Sequence, residues 1–127
     1  MAEPPRPRSG KVLHVLRQRG DRAGSPPRFR ALPGVEAVQG APDNVEVTAQ
    51  GVDKGTALLA LADMLGIPRE ATLAIGDSDN DRAMLARAGV AAVMANALPE
   101  IRALGDIVST CDNDHDGVAE LFERLGL

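Results

Sequence analysis

Residues 74–81 read Ala74-Ile75-Gly76-Asp77-Ser78-Asp79-Asn80-Asp81. The apolar run Thr72-Leu73-Ala74-Ile75 stops at a glycine, polar residues follow, and a helical pattern begins near Asn80. A short apolar run bounded in this way reads as a buried parallel strand. In a parallel α/β sheet, ligands bind in the crevice at the carboxyl ends of the strands. The spacing places Asp77 at the strand end and Asp81 about one turn into the helix, so both carboxylates can face one small, hard cation. Magnesium takes such oxygen ligands and keeps waters and substrate phosphate oxygens in its shell. The amides that open the helix favour an anion nearby. Aspartate, serine and asparagine are also ordinary helix N-caps. Three aspartates between positions 77 and 81 exceed what capping needs, however, because close like charges destabilise one another without a cation.

Working outward, the signals are sharp from Val45 onward. Val45-Glu46-Val47-Thr48 alternates like a half-buried strand. Leu58, Leu61, Ala62 and Leu65 recur at helical spacing, and Gly66 with Pro68 stops that helix. Beyond the central stretch, Met84, Leu85 and Ala88 lie on a helix that Gly89 ends, and 90–94 reads as a second buried strand. A helix around 99–104, a strand at 107–109 and a last helix bearing Val118, Leu121, Phe122 and Leu125 complete the chain. This alternation predicts an α/β fold with a parallel sheet. Residues 1–44 differ: they are rich in proline and arginine, with candidate strands only at 11–16 and 35–38, and 17–30 reads as loop or disorder. The expected division is therefore 1–44 and 45–127.

Composition narrows the function classes. The 127 residues fit one domain with a modest core, and no apolar run approaches the ~20 residues of a membrane span. Residues 1–10 have no apolar segment of the kind a signal peptide needs. The single cysteine, Cys111, suits a reducing compartment, so the expected location is the cytoplasm. A net charge of −4, two phenylalanines and neither tryptophan nor tyrosine argue against a nucleic-acid partner.

A second element, Gly51-Val52-Asp53-Lys54-Gly55, precedes the leucine-patterned helix, and its lysine can aim an ammonium at a phosphate or at clustered carboxylates. With Gly76-Asp77-Ser78-Asp79-Asn80-Asp81, Met84-Leu85, Ala88-Gly89, Met94-Ala95-Asn96-Ala97, Asp106-Ile107-Val108 and Asp116-Gly117-Val118-Ala119, it forms an ordered series. In that order and spacing, 45–127 resembles the C-terminal core segment of the Cof-type phosphatase branch of the haloacid dehalogenase (HAD) superfamily. Residues 11–44 resemble, more loosely, the tail of the mobile cap domain that this branch inserts ahead of the lysine. The resemblance implies a partial Rossmann-like parallel sheet with flanking helices, preceded by a remnant of an α/β cap. It implies a magnesium-dependent phosphatase acting on a phosphorylated small molecule of the sugar phosphate class. Lys54 would balance charge on the nucleophile and bound phosphate, Asp77 would ligate magnesium, Asp81 would support the metal site and orient Lys54, and Asn80 would contact the substrate phosphate.

The family's Asp-x-Asp nucleophile motif has no match before Lys54: Asp21, Asp43 and Asp53 are single, and none follows a buried apolar strand. The expectation is a half-site, inactive alone, that forms a homodimer or needs a separate N-terminal segment of the same family. Ile107 to Asp114 superficially resembles a strand followed by Asp-x-Asp, but the resemblance assigns it to the loop entering the last helix. An alternative of another class is a non-catalytic binding protein, with either a vestigial phosphate site or, in this same region, an EF-hand-like calcium loop at 112–123. Asp112, Asp114, Asp116, Gly117 and Glu123 occupy EF-hand loop positions 1, 3, 5, 6 and 12.

Overall fold

The computed structural model describes residues 12–15, 31–41 and 44–127. The proline-rich start and the expected loop at 17–30 lie outside the described residues, as does the loop-like part of the cap remnant. Two compact units divide after Val52.

The first unit is an antiparallel sheet of β1 (Val12–Val15), β2 (Val35–Ala41) and β3 (Asn44–Ala49), in the order β1-β3-β2. The alternation expected at 45–48 is present: Val45 and Val47 are buried with Ala37, while Glu46 and Thr48 are half-buried. The placement expected for this strand is corrected. It is the central strand of the first sheet, paired with β1 and β2, so the boundary falls after residue 52 and not after residue 44. Alternation marks a one-sided strand wherever it lies and cannot say which sheet it joins.

The second unit begins with α1 (Lys54–Leu65). Asp53 caps it by accepting from the Thr56 amide at 2.7 Å, and Gly66, at φ 67°, ends it with its own amide and that of Ile67 closing the last turn. A 3-10 turn (Arg69–Ala71) leads to β4 (Leu73–Gly76), and a second (Asp79–Asp81) leads to α2 (Arg82–Arg87). Then follow β5 (Val90–Val93), α3 (Pro99–Arg102), β6 (Ile107–Val108) and α4 (Gly117–Leu125). The three strands are parallel, in the order β4-β5-β6, with Leu73 opposite Val90 and Gly76 opposite Val93.

Successive strand residues point to opposite faces, and both faces are covered. Ala74, Ala91 and Val93 pack with Leu85 of α2, Ile101 of α3 and, at the margin, Leu58 of α1. Ala92, Met94, Leu73, Ile75 and Ile107 pack with Leu121 of α4. Ile101 and Leu121 are fully buried, one per face, and truncating either to alanine costs about 2–5 kcal/mol at such sites. The leucine pattern of α1 is only partly buried: Ala62 is inside, but Leu61 and Leu65 are exposed, as is Met64. The EF-hand reading loses its entering helix, because β6 and a turn precede Asp112. No group of three histidine, cysteine or acidic side chains is arranged to hold a metal among the described residues.

Candidate active site

The site lies at the carboxyl ends of β4 and β5, and Asp81 organises it. Its side chain folds back over the end of β4, where Oδ2 accepts from the backbone amides of Asp77 (3.0 Å) and Ser78 (3.2 Å). The opposite oxygen, Oδ1, takes the Lys54 ammonium at 2.6 Å. The residue is only 6% exposed, so its charge is held by these three protein donors in place of water, while Lys54 itself stays exposed.

Two glycines make this arrangement possible. A Cβ on Gly76 would stand 2.6 Å from the Asp81 Cβ, so only glycine lets that side chain lie across the strand end. A Cβ on Gly55 would run into the Ala83 carbonyl carbon at 2.6 Å, so glycine lets the start of α1 approach α2 and brings Lys54 within reach of Asp81. The N-cap Asp53 secures the same junction, taking the Thr56 amide and hydroxyl and the Arg87 guanidinium at 3.2 Å. Partial burial alone would raise the Asp53 pKa. The Thr56 bonds and the Arg87 charge outweigh it and hold the carboxyl below its ordinary value.

Asp77 is half-buried just beyond β4. Its Oδ1 accepts from the Ser78 hydroxyl at 3.0 Å and its Oδ2 from the Asn96 amide at 3.2 Å, so each oxygen keeps acceptor capacity for another ligand. Asp79 is paired with Arg82 at 3.0 Å. The Asn80 side chain is half-buried and makes no hydrogen bond with any described residue, which leaves its amide free to donate. The sequence reading thus placed Lys54, Asp77, Asn80 and Asp81 together, and the fold brings them to one strand end. It gave no role to Asn96, which joins them from the end of β5. The signal was present in Met94-Ala95-Asn96-Ala97, but its partner depends on the parallel register of β4 and β5.

Does this donor set fit magnesium? The ion binds through one or two carboxylates, completing its shell with water and phosphate oxygens. Asp77 fits that role, being oriented and unneutralised by any described cation. Asp81 is already spent on Lys54 and two amides, so within this chain it holds the lysine and the loop. One free carboxylate is the contribution of the described residues, and the rest of a shell has to come from elsewhere.

The family model for haloacid dehalogenase-like hydrolases matches residues 24–122. The chain belongs to the haloacid dehalogenase-like hydrolases. Within that family it is 40% identical over 98 residues to phosphatase YwpJ of Bacillus subtilis, covering 77% of this chain and 34% of the relative. Its fold matches a haloacid dehalogenase-like hydrolase from B. subtilis with a TM-score of 0.81 and 34% identity, over 91% of this chain and 40% of that one. It also matches a sugar phosphatase of HAD subclass IIB, with a TM-score of 0.71 and 28% identity, over 77% of this chain and 37% of that one. The chain spans about a third of the curated relative and about two-fifths of these structures. The α/β HAD-type fold expected from the sequence is thereby shown, and no described helix is long and apolar enough to cross a membrane.

Proposed function

We propose that this HAD-like chain supplies the lysine–aspartate half of a magnesium-dependent phosphatase site for a phosphorylated small molecule of the sugar phosphate class. The observation that carries the reading is the ion pair between Lys54 and the buried Asp81, set beside the open carboxylate of Asp77 at the strand end. Similarity to a subclass IIB sugar phosphatase supports the substrate class. In this reading Lys54 holds its ammonium toward the phosphoryl oxygens and Asn80 donates its free amide to one of them. Asp77 holds the metal, which would offset phosphate charge, and Asp81 fixes the lysine. Charge neutralisation and positioning of this kind are most of what a protein contributes to phosphoryl transfer. The attacking aspartate lies outside 53–127, on another chain or another segment. The outer edge of β4, unpaired among the described residues, supports a partner strand there. One cysteine and a phosphorylated small-molecule substrate suit the cytoplasm, and no nucleic-acid partner is implied.

The test joins this chain to the N-terminal portion of the B. subtilis relative that it does not match. Assayed alone with magnesium and a sugar phosphate, the chain is expected to show no hydrolysis. The chimera is expected to hydrolyse it and to lose that activity in Asp77→Asn and Lys54→Ala. A folded chimera whose turnover survives both substitutions would sink the assignment.

A further inference from the structure

The one site contact with no assigned purpose is the side chain of Asn96. Its orientation is dictated by chemistry, since only the amide nitrogen can donate to a carboxylate. Nδ2 therefore faces Asp77 Oδ2 at 3.2 Å, and Oδ1 is left to accept from the Asn113 backbone amide at 3.0 Å. One side chain thus joins the metal-ligand candidate at the end of β4 to the loop that enters α4. That loop is itself anchored. The Glu120 carboxylate accepts from the Thr110 amide (2.8 Å) and the Cys111 amide (2.9 Å), and Asp112 accepts from the Asp114 amide (3.0 Å). Ser109 meanwhile accepts from the Ala95 amide at 2.9 Å, fixing the backbone next to Asn96.

We propose that Asn96 is a positioning residue: it locks the Asp77 carboxylate for metal binding and ties it to the Thr110–Asp116 loop. The inference rests on the reading above that Asp77 holds the metal. Ser78 restrains one oxygen of Asp77 from its own turn, and Asn96 restrains the other from the turn that follows β5. Without Asn96 the carboxylate is held from one side only, and the cost of ordering it falls on the metal-binding step. Losing a partner of this kind typically weakens metal affinity 10–100-fold. Because Asn96 is exposed, the low end, about tenfold, is expected.

The experiment is a manganese titration of the full chain, followed by paramagnetic broadening of backbone amide resonances. In the wild type, amides around Asp77 and Asn113 broaden together. Asn96→Leu keeps the bulk and removes both hydrogen bonds; it is expected to need about ten times more manganese. Its thermal midpoint stays near the wild-type value, and its Asn113 resonance shifts in the absence of metal. Asn96→Ala serves as a second variant should the leucine perturb folding. Asp77→Asn separates the two claims. If it abolishes the localised broadening while both Asn96 variants titrate like the wild type, the tether is wrong and the site stands. If the wild type shows no localised broadening, or Asp77→Asn retains it, the site assignment falls and the tether falls with it.

Discussion

Gly76 shows how much of this site hangs on one missing methyl group. The Asp81 side chain occupies the space a Cβ would need and is pinned there by the Asp77 and Ser78 amides and by Lys54, so it cannot step aside cheaply. Gly76→Ala is therefore expected to destabilise the chain by about 1–3 kcal/mol, the cost of overpacking a filled position. Urea unfolding checks this, as a lower midpoint at unchanged slope. At this scale the sequence was informative about which residues gather and silent about how they divide the work. The Gly-Asp-x-x-Asn-Asp spacing brought Asp77 and Asp81 to one strand end, because a strand stop and one helical turn fix their separation. That Asp81 spends both oxygens within the protein, and that Asn96 reaches Asp77, depends on side-chain directions and on a register set by β5. No local pattern carries either.

Among the elements, α4 is tied to its own entry loop by Glu120, which accepts from the Cys111 and Thr110 amides and from Arg124. The Cys111 amide bond does most to lower its pKa, to about 2 from 4.5; burial opposes it, and the Thr110 and Arg124 bonds add to the lowering. A carboxyl whose pKa is lower in the folded state stabilises the fold above its unfolded value. That contribution shrinks as the pH falls from 4.5 toward 2. Melting temperatures of the wild type and Glu120→Gln are thus expected to differ most near neutral pH and to converge as the pH approaches 2. A constant gap would show that the carboxylate charge is not what holds the loop. The elements themselves were largely legible from apolar runs and stop residues between 45 and 127. The exceptions are instructive. The spacing of Leu58, Leu61, Ala62 and Leu65 predicts a helix and its apolar face, but not whether anything described covers that face. The alternation of Val45 and Val47 marks a strand without naming its sheet.

For the molecule as a whole, that uncovered face is the feature with consequences. Leu61, Met64 and Leu65 are 55%, 83% and 64% exposed on one helix, in the same unit as a parallel sheet whose β4 edge has no described partner. Exposed apolar patches and open strand edges promote association. The isolated chain is expected to self-associate, with a sedimentation coefficient that rises with concentration, and the pair Leu61→Lys and Met64→Lys is expected to shift that rise to higher concentration. A monomeric, cooperatively melting wild type would contradict it.

The Lys54–Asp81 pair also fixes what charge is left over at the strand end. With Asp79 matched by Arg82 and Asp81 by Lys54, the Asp77 carboxylate is left without a cation among the described residues, and the strand end carries one negative charge in excess. On the proposed reading, an arriving phosphate would meet that excess until a dication on Asp77 reversed its sign. The order expected on that reading is cation first and phosphate second, with free phosphate bound only weakly when no cation is present.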